Sequence, residues 1–183
     1  GVFTMSQTPE KINDDFFVML TENAFSFLEK SLNQIKTEPQ FSLINYYTAI
    51  ELFFKARLMQ EHWSLIISDF RSAPKFTDFC IGDFKSVTLH ECAERIKNIC
   101  GEDIITEAKK FDNLRIHRNK AVHFFHPAYA SRDVKEIHQI MIMQFHCWFI
   151  LKELLQVSWK RFFFPMNLVL FPWRISLLLI KNI

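Results

Sequence analysis

The chain has 183 residues, 49% of them apolar and 23% charged, with a formal net charge of +2. That is long enough for one domain with a sizeable core, and too weakly charged to grip nucleic acid over a whole surface, so any basic site is local. Phenylalanine is abundant at 21 copies and glycine scarce at 3, which argues against a β-rich fold with many tight turns.

"GVFT" ahead of Met5 reads as a stretch outside the fold. No secretory leader pattern is seen, and Cys80, Cys92, Cys100 and Cys147 have neither CxxC nor zinc-finger spacing. Free thiols in a reducing cytoplasm are therefore expected. The first helix is expected to start at Thr8, as N-cap, and Pro9. Phe16, Leu20, Ala24, Phe27 and Leu28 follow helical spacing and make it long and amphipathic. "TEP" at 37–39 breaks it. The next stretch, "FSLINYYTAIELFFKARLMQEHWSLIIS", is apolar nearly all round, which predicts a central helix.

Residues 69–87 contain Pro74 and Gly82 and show no clear period. They read as an irregular connection, longer than compact domains normally need, and so as a candidate functional or mobile loop. "TLHECAERIKNICG" opens on a capping-box pattern, Thr88 with Glu91, and stops at Gly101. A fourth helix is predicted from about Glu102 to Phe125, ended by Pro127, and a fifth from near Ser131 to about Lys160. The elements predict one all-α domain, a four- to five-helix bundle over residues 8–157. The stretch 158–183 is an apolar, basic C-terminal extension that carries Lys160, Arg161, Arg174 and Lys181. Pro165 and Pro172 divide it, so its clean apolar runs fall short of the ~20 residues a spanning helix needs. It is expected to pack on the bundle or in a dimer, with membrane contact the less favoured reading.

The fourth helix raises the functional question. With Arg115 at zero on a wheel of about 100° per residue, Asn119 lies at about +40°, His123 at about +80°, His126 at about +20° and Arg118 at about −60°. Ile104, Ala108, Phe111 and Val122 share that sector. An apolar stripe is thus continued by Arg, Asn and His, groups that cost several kcal/mol to bury without partners. An Arg and a His on one helix are most often a solvated face or a complement to the helix dipole. The grouping of Arg115, Arg118, Asn119 and His123 on an expected packing face points instead to internal acids, a second subunit, or a wet anion-binding cleft.

The segment "NLRIHRNKAVH" resembles the signature of the HEPN superfamily, an Arg followed by a polar residue and, after four to six intervening positions, by a His; here Arg118, Asn119 and His123 fill those places, with four residues between Arg and His. "AIELFFKARLMQEHWSLI" also resembles the second helix of these proteins, and the likeness covers roughly residues 10 to 157. The resemblance implies an HEPN-like bundle, usually a homodimer, in which the two motifs meet in a composite site. It implies a metal-independent endoribonuclease that acts on single-stranded RNA or a tRNA loop, as a defence or toxin effector with an antitoxin or nucleotidyltransferase as partner. The alternative is a non-catalytic module of the same shape that grips nucleotide or RNA, or serves a nucleotidyltransferase.

The residue chemistry fits either. His123 can act as general base or acid near neutral pH, and Arg118 offers a permanently charged fork for phosphate oxygens. Asn119 can orient the imidazole or hold a phosphate oxygen. Glu51, one turn from Tyr47 and Lys55, is either half of an ordinary pair with Lys55 or orients Arg118 or His123 from the neighbouring helix. Arg115, Lys55 and Lys120 are the candidate phosphate-binding cations, with a plain salt bridge the competing role for Arg115. No cofactor is expected. No metal set is expected either, because no carboxylate or cysteine stands at ligand spacing beside His123 and His126.

Overall fold

The computed structural model describes residues 9–68 and 75–163. The expected Thr8 cap, the start of the 69–87 connection and the extension beyond Phe163 lie outside the described residues. Eight α-helices make up the described chain: α1 Pro9–Gln34, α2 Pro39–Met59, α3 Phe76–Cys80, α4 Leu89–Arg95, α5 Ile105–His123, α6 Pro127–Ser131, α7 Val134–Glu153 and α8 Lys160–Phe163. No strand occurs among the described residues, only an isolated antiparallel bridge between Ile67 and Ser86.

Helix α2 is the axis of the bundle. Leu43, Tyr46, Tyr47, Ile50, Phe53, Phe54, Leu58 and Met59 are all buried, on every side of the helix, as its continuous apolar character requires. Helix α1 lies antiparallel to it. Asn13 Nδ2 donates to Met59 O at 2.6 Å at one end, and the Ser31 and Ser42 hydroxyls meet at 3.2 Å at the other. Helix α7 closes the far side, where Gln144 Nε2 donates to the Ser42 hydroxyl at 3.1 Å.

The connection after α2 is more built than its sequence suggested. Its described part holds α3, and Phe76, Phe79 and Phe84 form an aromatic cluster with Trp63 and Phe16. Arg95 Nη1 donates to the carbonyls of Leu65 and Ile67 at 2.6 and 2.8 Å. Residues 75–87 are thus a packed part of the fold and not a free loop. The capping box forms as expected. The Thr88 hydroxyl accepts from Glu91 N, and a Glu91 carboxylate oxygen accepts from Thr88 N at 2.7 Å. These bonds, led by the one from Thr88 N, hold the Glu91 carboxyl below its usual range. Helix α4 runs on through a wider turn, Ile96–Cys100, and stops at Gly101, whose φ of +72° is the left-handed conformation glycine adopts freely.

Three boundaries differ from expectation. Helix α5 begins at Ile105, because Glu102 turns inward to a different task. It ends at His123, leaving Phe124 and Phe125 outside. Helix α7 starts only after Asp133, whose carboxylate accepts from Glu136 N at 3.1 Å, because α6 intervenes. The segment Val134–Ser158 is long and apolar enough to cross a membrane by length and composition, but Ile140, Cys147, Trp148, Leu151 and Leu154 place one of its faces in the core. No break falls at residue 158: Trp159 and Phe163 are buried, against Phe54 and Phe53. The first residues of the predicted extension therefore complete the bundle. All four cysteines are free thiols.

At the base of this packing lies Arg57, whose side chain is fully buried. Its Nη2 and Nε donate to the two carboxylate oxygens of Glu102 at 2.6 and 3.2 Å, and Nη1 donates to Glu61 Oε1 at 2.8 Å. Trp159 Nε1 donates to Glu102 Oε2 at 2.9 Å, and the Phe162 ring lies 4.1 Å from the guanidinium carbon. Removing one partner of such a pair leaves an uncompensated buried charge. Glu102→Gln is expected to cost about 3 kcal/mol in chemical denaturation; a loss below about 1 kcal/mol, the level of exposed pairs, contradicts this role.

Candidate functional site

Helix α5 has good helix formers at Glu107, Ala108, Lys109, Lys110 and Leu114, and it docks through Ala108, Phe111 and Leu114. On the wheel used above, these three average to about −40°, to the Arg118 side of Arg115. That phase decides which polar residues face inward. Arg118, at about −60°, falls on the packing face and is half-buried, whereas Arg115 and His123 are exposed. Of the expected stripe, Arg115 and His123 are thus rotated out of the core, while Asn119 is half-buried like Arg118. Val122 is exposed too, at 45%, because α5 has outrun its neighbours by its last turn.

Arg118 is held in a defined way. Its Nη1 donates to Asn119 Oδ1 at 3.0 Å, and its guanidinium carbon stands 5.8 Å from the centre of the Tyr47 ring on α2. That distance is within the range of cation–π attraction. Nε is buried without a partner, and Nη2 has no acceptor among the described residues. Asn119 therefore positions the arginine and not the imidazole. Tyr47 is buried, its hydroxyl unpartnered, and its pKa is raised above that of an ordinary phenol. Burial is the main cause, and Glu51 and Asp112 add to it while Arg115 and Arg118 oppose it. Arg118, Glu51, Asp112 and Arg115 thus all act electrostatically on this one ring.

His123, the last residue of α5, is open to solvent, followed by Phe124 at 82% exposure and Phe125 at 49%. Its imidazole makes no hydrogen bond or ion pair with any described residue. Glu51 is half-buried and joined by hydrogen bond or ion pair to neither Arg118 nor His123. It does not pair with Lys55 either, since Lys55 Nζ donates to the Ser86 hydroxyl at 3.0 Å, on the α3–α4 connection. Arg115 Nε forms an ion pair with Asp112 at 2.9 Å, the plainer of its two expected roles. Lys120 is exposed and acts electrostatically on His117 and His126. Of the expected set, the structure gathers Arg118 and Asn119 beside Tyr47, with His123 one turn beyond Asn119. It sends Lys55 elsewhere.

A second constellation went unread in the sequence. His126 is buried at 1% exposure, and its Nδ1 accepts from Ala128 N at 3.2 Å. Its Nε2 lies 2.8 Å from His117 Nδ1, with the two rings stacked at 24° and 5.1 Å between centres. Because a backbone N–H points at His126 Nδ1, the ring proton sits on Nε2 and is donated to His117. Burial lowers both imidazole pKa values, and Lys120 lowers them further while Glu136 opposes. No local rule pairs residues 117, 126 and 136. The Pro127 break that turns the chain back is the one sequence signal that they could meet.

Tyr47 links the two views of Arg118, packing and chemistry, and can be tested by deletion. Tyr47→Phe removes a hydroxyl without a partner and is expected to change stability by less than about 1 kcal/mol. Tyr47→Ala is expected to cost about 3–5 kcal/mol. Denaturant melts of both variants check this; a large loss in Tyr47→Phe would reveal a hydroxyl contact that supports the helix pair.

Compared with protein-family models, curated proteins and solved structures, the chain matches none.

Proposed function

We propose that the chain is a metal-independent endoribonuclease of the HEPN type, with Arg118 and His123 as its reacting groups. One observation carries this reading. The motif arginine is aligned by Asn119 and Tyr47 with a terminal nitrogen left without an acceptor among the described residues, and the motif histidine stands one turn beyond Asn119, exposed at the helix end. A charged donor that is oriented yet unsatisfied is suited to a phosphate oxygen.

RNA carries its own nucleophile. In the proposed reaction one imidazole takes the proton of a 2′-hydroxyl, whose oxygen attacks the adjacent phosphorus. The bond from phosphorus to the 5′-oxygen breaks, and that oxygen receives a proton from a second acid. The products are a 2′,3′-cyclic phosphate and a 5′-hydroxyl. Arg118 balances the extra negative charge on phosphorus in the transition state. One chain supplies one His123, so acid and base together call for two copies, and a two-fold pairing brings a second Arg118 and His123 into one cleft. The exposed Phe124 and Phe125 beside His123 are available apolar surface for such a seam. Defence or toxicity restrained by a partner protein is the role that the family resemblance suggests.

The binding-module reading rests on a different observation: among the described residues no carboxylate or amide orients His123. There Arg118 grips phosphate without turnover. The two part on mutation. His123→Ala, checked for fold and oligomeric state, is expected to lower RNA cleavage by about 100-fold or more and to leave RNA affinity within about threefold, the change of ~0.7 kcal/mol that losing one weak contact brings. Arg118→Ala is expected to weaken both. Cleavage that survives His123→Ala overturns the enzymatic proposal, and binding by a wild type that never cleaves selects the module.

A further inference from the structure

We propose that His117, His126 and Glu136 form a binding site for one divalent ion of the zinc class, which clamps the end of α5 to α7. The site is separate from Arg118 and His123, and no step of the proposed reaction uses it.

The donor atoms of the three residues, two imidazole nitrogens and a carboxylate oxygen, all lie within 4.8 Å of one another. A tetrahedral ion with bonds of about 2.0–2.1 Å needs its ligands about 3.3 Å apart, so small side-chain shifts close the gap. The donors come from three elements: α5, the link into α6, and the first turn of α7. His126 is wedged between His117 and the Tyr129 ring at 4.9 Å, and Glu136 is fixed through its own amide by the Asp133 cap. A cavity of about 380 Å³ opens beside them, lined by His117, Asp133, Lys135, Glu136, Gln139 and Met143. It leaves room for water as a fourth ligand. Two nitrogens and one oxygen suit zinc or its neighbours, and are poor ligands for calcium or magnesium, which favour all-oxygen shells. Burial also disfavours protonation of both rings, and the neutral imidazole is the form that ligates.

Two features oppose the ion. It must displace the proton that the rings share, and a neutral His126 ligated through Nε2 carries its proton on Nδ1, against Ala128 N. That exchanges one 3.2 Å hydrogen bond for a metal–nitrogen bond. Lys135 on the cavity wall and Lys120 nearby add repulsion. An open, exchangeable site follows, not a closed one that the fold requires.

The test uses the full chain, stripped with chelator and dialysed, and two probes. Co²⁺ is followed by its visible absorption, and Zn²⁺ by competition with a chromogenic chelator and by thermal melting. One ion per chain is expected, with a rise in Tm on Zn²⁺ and a cobalt spectrum free of sulfur charge-transfer bands. His117→Ala is expected to weaken binding by at least about 100-fold and Glu136→Gln by about 10-fold, at or beyond what outer-shell changes cost. Both residues are half-buried, so both variants are expected to fold; circular dichroism checks this. Absence of binding at tens of micromolar Zn²⁺, affinity unchanged in both variants, or a sulfur band that assigns the ion to the half-exposed Cys80 or Cys100 overturns the proposal. Cleavage of RNA has no part in these readouts, so either proposal can fail alone.

Discussion

The fold depends on one ion pair in its interior. Arg57 stands in the last turn of the apolar helix α2 with its guanidinium wholly removed from water, and Glu102 is the group that makes this tolerable. Such a pair contributes little net stability compared with well-packed apolar side chains, but it penalises any arrangement that separates its partners. Through Glu102 it fixes three things at once: the end of α2, the bend between α4 and α5, and the C-terminal turn that brings in Trp159. It also removes Glu102 from α5. The helix then starts at Ile105, and with its start and its inward residues fixed, its rotation is set.

That rotation places the chemistry. Neighbouring residues on a helix point about 100° apart, so Arg118 and His117 are directed to different partners, Tyr47 on α2 and His126 before α6. One short stretch of α5 thus carries a cation held beside an aromatic ring and an imidazole engaged in a nitrogen cluster. Beyond them the helix outruns its neighbours, and His123, Phe124 and Phe125 are left in solvent. Among the described residues nothing supports His123, so the proposed reaction lacks one of its acid–base groups within a monomer, which is the physical reason for invoking a second copy.

Much of the architecture was legible in the sequence. The capping box at Thr88 and Glu91, the stop at Gly101 and the all-round apolar α2 each follow from a local rule, and each is found. The wheel for α5 went astray in phase, not in period. Ala108, Ile104 and Phe111 do face inward as the wheel predicts, but buried Leu114, at about −100°, turns the face toward Arg118 and away from His123. Helix α3 was missed because five residues around an aromatic pair show no period. The meetings of Arg57 with Glu102, 45 residues apart, and of His117 with His126 and Glu136 are tertiary, and no spacing rule announces them. The bond from Lys55 to Ser86, 31 residues on, is tertiary in the same way.

The most direct measurement on the central claim is the chemistry of the ends produced when the pure protein acts on a mixed tRNA and unstructured RNA pool in EDTA. Attack by the 2′-hydroxyl predicts fragments with 2′,3′-cyclic phosphate and 5′-hydroxyl ends. Fragments with 3′-hydroxyl and 5′-phosphate ends, or no fragments from a folded dimer, contradict the account.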